Sequence, residues 1–304
     1  MRIVDRQRSA AEAGTDSLPR LDCTVVVFAH NAAERVRVLV EGLKPLVAEV
    51  VVCDIGSADE TVSFALAAGA RVIEREWVPV VEALRQEVID SIEARWLLIL
   101  DDDEVPDRHL LRSLANIIAA DSADVVSVCL LSYFFGEVLR CAGYEPTNVH
   151  HSQVRLFKKG AVHASTRIHK KLGLAEGARY RALEPQDGYL HHFSYESVSQ
   201  WLVKTDRYTD AEADWIVSNV LGRPLPSLRF ALGVLVEPVS LIVRHRALSG
   251  GWRGLAMVIF MLNYRVTAWA KAKERVDGHG PGAARLEYLR KGRELLGLPT
   301  DEFP

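Results

Sequence analysis

Cysteine is scarce in this chain of 304 residues: Cys23, Cys53, Cys129 and Cys141 are all it has. None stands in a C-x-x-C pair, and the first three lie inside apolar, β-branched runs. They read as small buried hydrophobes of a reducing compartment, which excludes a disulfide framework. A zinc template is missing too, because His150-His151, His163 and His191-His192 lack ligand spacing. Charge of one sign is also missing: the formal net charge is −3, so no global basic field points to nucleic acid. No run of about 18 uncharged apolar residues occurs, which argues against a conventional membrane span. Met1 to Arg20 has no apolar core segment and reads as a flexible lead-in, not a secretory signal.

What is present is the composition of a folded protein, 49% hydrophobic and 25% charged. Cys23 to Ala29 is a buried-strand pattern, Ala32 to Leu43 has helical spacing, and Val50 to Cys53 is a second strand. Ser57 to Ala68 predicts a helix with a Ser57/Glu60 capping box, closed by Gly69. Arg71 to Ile73, Trp96 to Leu100 and Val125 to Leu131 predict further strands. Val80 to Ile92, and a helix capped by Asp107 that runs to Ala119, fall between them. This alternation predicts an α/β fold with a mostly parallel sheet flanked by helices.

Beyond residue 132 the rhythm changes. Tyr133 to Leu139 and Gln153 to Phe157 read as strands, and Gly160 to Tyr189 as a long, irregular, basic loop of the kind that carries function. Glu196 to Asn219 predicts a helix with Val198, Trp201, Leu202, Thr205 and Tyr208 on one face. Two apolar stretches follow, Phe230 to Val243 (interrupted by Glu237-Pro238) and Leu255 to Ala270. Arg244-His245-Arg246 forms a basic joint between them, and Pro281 opens a last helix through Leu296. The expected organisation is a lead-in at 1–20, a binding domain at 21–195 and a helical C-terminal extension at 196–304.

The strongest chemical signal is acid at strand ends. Asp54 follows the second strand, and Asp101-Asp102-Asp103-Glu104 follows the fourth. Ligands of open parallel sheets bind beyond the carboxyl ends of the strands. Four adjacent acids repel one another unless a cation is shared, and Mg²⁺ or Mn²⁺ bind a few carboxylates plus substrate phosphates. The cluster therefore reads as a metal–diphosphate site; a solvated acidic turn is the bland alternative.

VVVFAHN (Val25 to Asn31), CDIGSADET (Cys53 to Thr61), AGARVIE (Ala68 to Glu74) and WLLILDDDEV (Trp96 to Val105) together resemble family-2 glycosyltransferases of the GT-A, Rossmann-like fold. HFSYESVSQWLVKTDRYT (His192 to Thr209) is similar to a tail segment of the lipopolysaccharide-core β-glycosyltransferase type. The resemblance spans residues 23 to 275 and implies roles. Ala29, His30, Asn31, Asp54 and Ser57 would line the nucleotide pocket. Arg85, Asp101 and Asp102 would meet the donor, while Asp103 and His192 would hold the Mn²⁺ or Mg²⁺. The implied reaction moves a sugar from a nucleotide-diphosphate sugar to a saccharide or lipid-linked acceptor, with inversion and a general base.

The base is where the chain departs from the pattern. V-H-E is the family form, but Ile168-His169-Lys170 stands here. His169 is one candidate base; Asp187 and Glu184 are others. The missing acid keeps open a second reading, a catalytically impaired nucleotide-sugar-binding partner or scaffold. A third, nucleotidyltransferase, wants a Gly-rich basic loop after the first strand, and His30-Asn31-Ala32-Ala33-Glu34 is unlike one. Lys158, Lys159, Arg167, Lys170 and Lys171 form a local basic patch: a solvated face or a reader of an acidic acceptor. The basic joint, with Trp252, Tyr264 and Trp269, suggests helices on a membrane surface. The expected location is cytoplasmic, peripheral on the inner face of the cell membrane.

Overall fold

A computed structural model describes residues 18–144, 152–164, 172–222, 226–278 and 282–297. The N-terminal half alternates as the apolar pattern predicts. β1 (Leu21–Ala29), α1 (Ala33–Leu43), β2 (Val47–Ile55), α2 (Thr61–Ala68), β3 (Arg71–Arg75), α3 (Glu82–Ser91) and β4 (Trp96–Asp101) come first. β5 (Glu104–Pro106), α4 (Arg108–Ala120), β6 (Val125–Val128), β7 (Leu130–Phe134) and β8 (Glu137–Val138) follow. Then come β9 (Gln153–Lys158), β10 (Val162–His163), β11 (Gly173–Leu174), β12 (Tyr180–Ala182) and β13 (Leu190–Tyr195). Four helices complete the chain: α5 (Val198–Asn219), α6 (Pro226–Val243), α7 (Gly251–Val276) and α8 (Ala283–Leu295).

The main sheet has seven strands in the order β12-β6-β9-β4-β1-β2-β3. It is mostly parallel, with β9 alone running against its neighbours β4 and β6. Successive side chains of β1 alternate between two cores, as the twofold period of a strand requires. Val25, Val27 and Ala29 join α1 and α4 on one face, packed against Val36, Val40, Leu110 and Leu114. Val26 and Phe28 join Val88 and Ile89 of α3 on the other. With both faces covered, β1 and β4 consist almost wholly of buried apolar residues.

Local signals explain most boundaries. Asp107 caps α4, its carboxylate accepting from Leu110 N at 2.7 Å. Gly69 closes α2 in the left-handed region at φ 87°, its N–H donating to the carbonyls of Ala65 and Leu66. The Ser57/Glu60 box, by contrast, does not form. α2 begins only at Thr61, whose N–H donates to Asp59 Oδ1 at 3.0 Å, and Ser57 is spent on Asn31. The expected single strand from Val125 to Leu131 is two: the chain leaves the main sheet after Val128 and enters a second at Leu130.

That second sheet, β5-β13-β7-β8, stands beside the acidic turn. Its β7 and β8 form a hairpin through Phe135 and Gly136, where one strand from Tyr133 to Leu139 was expected. Phe134, Leu139 and Cys141 bury against Ala247, Met257 and Val258, joining this sheet to α6 and α7.

In the helical region α5 buries Trp201 and Thr205 of the expected face but not Val198 and Leu202. Trp201, Thr205, Thr209 and Ala213 are buried, a strict four-residue stripe against α7, while Val198 and Leu202 face solvent. Trp201 anchors the stripe by stacking on Phe260 at 4.1 Å. Glu237-Pro238 does not interrupt α6, which runs through Pro238 and is long and apolar enough to cross a membrane by length and composition. Tyr264 and Trp269 are half-buried. Trp269 stacks on Phe230 at 4.5 Å, and the Tyr264 hydroxyl is buried. Trp252 is exposed.

Candidate functional site

Strand register assembles the site. On one side of β1, Ala29 pairs with Asp54; on the other, Phe28 pairs with Asp101. Asp54 and the acidic turn therefore flank the end of one central strand, about 10 Å apart at the usual strand spacing. They share the edge where an open sheet binds ligands.

The loop after β1 is woven to the loop after β2. Asn31 takes the left-handed conformation at φ 50°, which its short polar side chain tolerates better than most. Its N–H donates to Ser57 Oγ at 2.8 Å, and its Oδ1 accepts from Ala58 N at 2.8 Å. Ala32 N donates to Thr61 Oγ1 at 2.8 Å. His30 sets its Nδ1 2.8 Å from the Ile55 carbonyl and donates its N–H to Asp102 Oδ2 at 3.2 Å. Ala29, His30, Asn31, Asp54 and Ser57, the residues assigned to the nucleotide pocket, thus form one bonded unit. Asp54 is 3% exposed. Its Oδ2 accepts from Ser57 N at 3.1 Å, while its Oδ1 is buried without a partner among the described residues. A buried carboxylate oxygen left unbonded is costly, and a donor N–H or hydroxyl of a ligand relieves that cost.

The acidic turn carries its own cations. Asp101 receives Arg85 at 2.9 Å and Arg155 at 3.3 Å. Asp102 receives Arg35 at 3.2 Å, Asp103 receives Lys204 at 3.4 Å, and Glu104 receives Arg155 at 2.6 Å. Guanidinium and ammonium groups from α1, α3, β9 and α5 thus offset part of the charge of the four adjacent acids. Electrostatics then separate the acids. Burial pushes the Asp101 carboxyl up, but Arg85, Arg155 and His192 outweigh it and hold it below its ordinary value. Burial, reinforced by neighbouring Asp103, raises Asp102 to about 7 against the pull of Arg35.

β13 brings the remaining metal candidate into place. Phe193 N donates to the Asp103 carbonyl at 2.8 Å, and His192 Nε2 lies 3.6 Å from Asp103 Oδ1. A carboxylate oxygen and an imidazole nitrogen so placed suit two ligands of one small cation. Among the described residues no larger His/Cys/Asp/Glu cluster exists. The donor set therefore fits Mn²⁺ or Mg²⁺ held partly by substrate.

The base candidates are not brought together. His169 lies outside the described residues. Asp187 sits in a turn of 3₁₀ helix, its Oδ2 accepting from Glu184 N at 2.9 Å and its carbonyl accepting from Ser113 of α4 at 2.9 Å. Glu184 closes the same reciprocal cap. Both carboxylates are thus engaged in shaping a turn against α4. Of the basic patch, Lys158 is paired with Asp121 and Asp124, and Lys159 with Glu93; Arg167, Lys170 and Lys171 fall outside the described residues.

Sequence reasoning missed Arg35, Arg155 and Lys204. Arg155 did leave a signal: it is one charge inside the apolar strand QVRLF, and a charge in such a run is buried only when paired.

The family described as glycosyl transferase family 2 matches residues 24–171. An uncharacterized glycosyltransferase of Rickettsia felis is 25% identical over 283 residues, covering 88% of this chain and 95% of its own. One from Rickettsia typhi is 23% identical over 262 residues, covering 82% and 85%. A TPR repeat-containing protein of Synechococcus elongatus shares 31% over 81 residues, only 27% of this chain and 20% of its own length. Among solved structures, glucosyl-3-phosphoglycerate synthase of Mycobacterium tuberculosis, held with Mn²⁺, UDP and glucosyl-3-phosphoglycerate, aligns at 23% identity and a TM-score of 0.32. That alignment spans 37% of this chain and 44% of the synthase.

Proposed function

Residues 24–171 match the family described as glycosyl transferase family 2, and we propose that the chain is a transferase that moves a sugar, with inversion, from a nucleotide-diphosphate sugar to a hydroxyl of a saccharide or lipid-linked acceptor. One observation carries the reading: Asp54, with an unpartnered buried oxygen, and Asp101 lie on either side of the end of β1.

Each residue has a task in this reading. Asp54 Oδ1 accepts from the nucleotide, and Ser57 and Asn31 fix the loop that frames it. Arg85 and Arg155 keep Asp101 ionised and aimed at ribose or sugar hydroxyls. Asp103 and His192 would hold a divalent ion, which would supply charge neutralisation for the leaving diphosphate. Lys204 adds a positive charge at the same place. His169 is the proposed base, since Asp187 and Glu184 are engaged elsewhere.

A panel of UDP-, GDP- and dTDP-sugars with Mn²⁺ tests the proposal. Slow, metal-dependent release of nucleoside diphosphate is expected with one donor, lost in Asp103→Ala. Binding of a nucleotide sugar without release or transfer, for every donor and with cell-extract acceptors, would return the reading to a non-enzymatic partner protein.

A further inference from the structure

α6 shows solvent an uncharged stripe. Leu228, Leu232, Leu235, Val236, Val239 and Val243 are each at least 52% exposed. Their spacing places them on one face over four turns. The opposite face is committed to the protein. Phe230 stacks on Trp269, Glu237 pairs with Arg265, and Leu241 and Ile242 pack against the Phe134–Cys141 core.

Charge is distributed unevenly around this stripe. From Pro226 to Lys273 there are seven Lys and Arg against a single acid, Glu237, a net of +6 in a chain whose total is −3. The remainder therefore carries −9. The one acid is turned inward onto Arg265, whereas Arg244 and Arg246, directly past the stripe, are exposed. Beyond them the exposed Trp252 lies under the Arg253 guanidinium, 4.7 Å from its centre. An aliphatic stripe with a basic end and an adjoining exposed Trp is the make-up of an interfacial element, whose apolar side chains enter the acyl boundary while Arg and Trp stay at the headgroup level.

We propose that α6 docks this chain on an anionic lipid surface, lying in the plane of the bilayer with the Leu228–Val243 stripe in the acyl boundary and Arg244 and Arg246 on headgroup phosphates. Its 18 residues, about 27 Å long, would suffice to span by length. Crossing would strip Phe230 from Trp269 and Glu237 from Arg265, so the in-plane arrangement keeps the fold intact. A second copy of the chain is the competing occupant. Two such faces brought together would also bring their basic ends into one interface, which disfavours it. The inference is independent of the sugar-transfer reading.

Sedimentation of the full chain with phosphatidylglycerol–phosphatidylcholine vesicles, against pure phosphatidylcholine, tests it. Binding to the anionic vesicles is expected to weaken as salt rises. Leu235→Asp/Val239→Asp is expected to lower partitioning at least tenfold with an unchanged thermal melt, since both side chains are exposed. Arg244→Gln/Arg246→Gln is expected to lower it on anionic vesicles only. Absence of binding to anionic vesicles overturns the proposal, as does binding indifferent to both variants. A lipid-free dimer that the Asp variant dissolves, with no vesicle binding, overturns it in favour of self-association.

Discussion

The guanidinium of Arg155 lies 2.6 Å from the carboxylate of Glu104, and both side chains are sealed from solvent. Glu104 Oε2 in turn accepts from Asp101 N at 3.1 Å, so this pair sets the backbone of the acidic turn. Removing one member of a buried pair leaves a bare charge and costs about 3–5 kcal/mol. Arg155→Ala is expected to lose that much in urea melts. Arg155→Met/Glu104→Gln removes both charges and is expected to lose markedly less. Equal losses would show that the ion pair does not organise the turn.

In the proposed function, the unpartnered oxygen of Asp54 accepts from the nucleotide. Asp54→Ala is expected to weaken nucleoside diphosphate binding at least tenfold by calorimetry, the loss expected when a charge-assisted hydrogen bond of about 1.5–3 kcal/mol disappears. The thermal melt should fall little or rise, because a buried unbonded oxygen is removed with it. Unchanged affinity would place the nucleotide elsewhere.

The raised Asp102 predicts a pH dependence of stability. Unfolded, this carboxyl titrates near 3.8; folded, burial and Asp103 lift it to about 7. The folded state keeps its proton longer, so this group's contribution is whole below pH 3.8 and eroded as the pH climbs to about 7. Asp102→Asn never ionises. Its stability relative to the native chain is expected to rise between about pH 4 and pH 8, in thermal melts with chelator present. Parallel pH profiles for the two proteins would remove the basis for this assignment.

Gly188 tests how β13 is delivered to the site. Its φ is 106°, and an added Cβ would stand 2.2 Å from Leu110 N and 2.6 Å from Asp107 Oδ1. Gly188→Ala is expected to cost about 2–5 kcal/mol through strain and overlap with the α4 cap. Gly177→Ala, at φ 76° with open space around it, is expected to cost only about 1 kcal/mol. Similar losses at both positions would mean that the packing against Leu110 is not what fixes the turn.

Much of this was readable beforehand because it is local. The apolar runs of β1, β2 and β4 announced a buried sheet, Asp107 announced its helix, and strand ends placed Asp54 and Asp101 at one edge. What escaped depends on distant partners. The acid run looked self-repelling because nothing near it in sequence says that Arg35, Arg85, Arg155 and Lys204 converge there. The strand from Val125 to Leu131 read as one because periodicity does not mark where a chain changes sheets. Ser57 looked like a helix cap because its real partner, Asn31, is 26 residues away.

Two cations cross in opposite directions between the sheet and the helical tail. Arg35 of α1 reaches out to Glu196, just before α5, at 2.8 Å, and Lys204 of α5 reaches back to Asp103 at 3.4 Å. Cutting the polypeptide after β13 would therefore remove one partner at both ends at once, leaving Asp103 without its ammonium and Arg35 with Asp102 alone. The tail is a wall of the candidate site, and no excised N-terminal fragment inherits the same electrostatic interior.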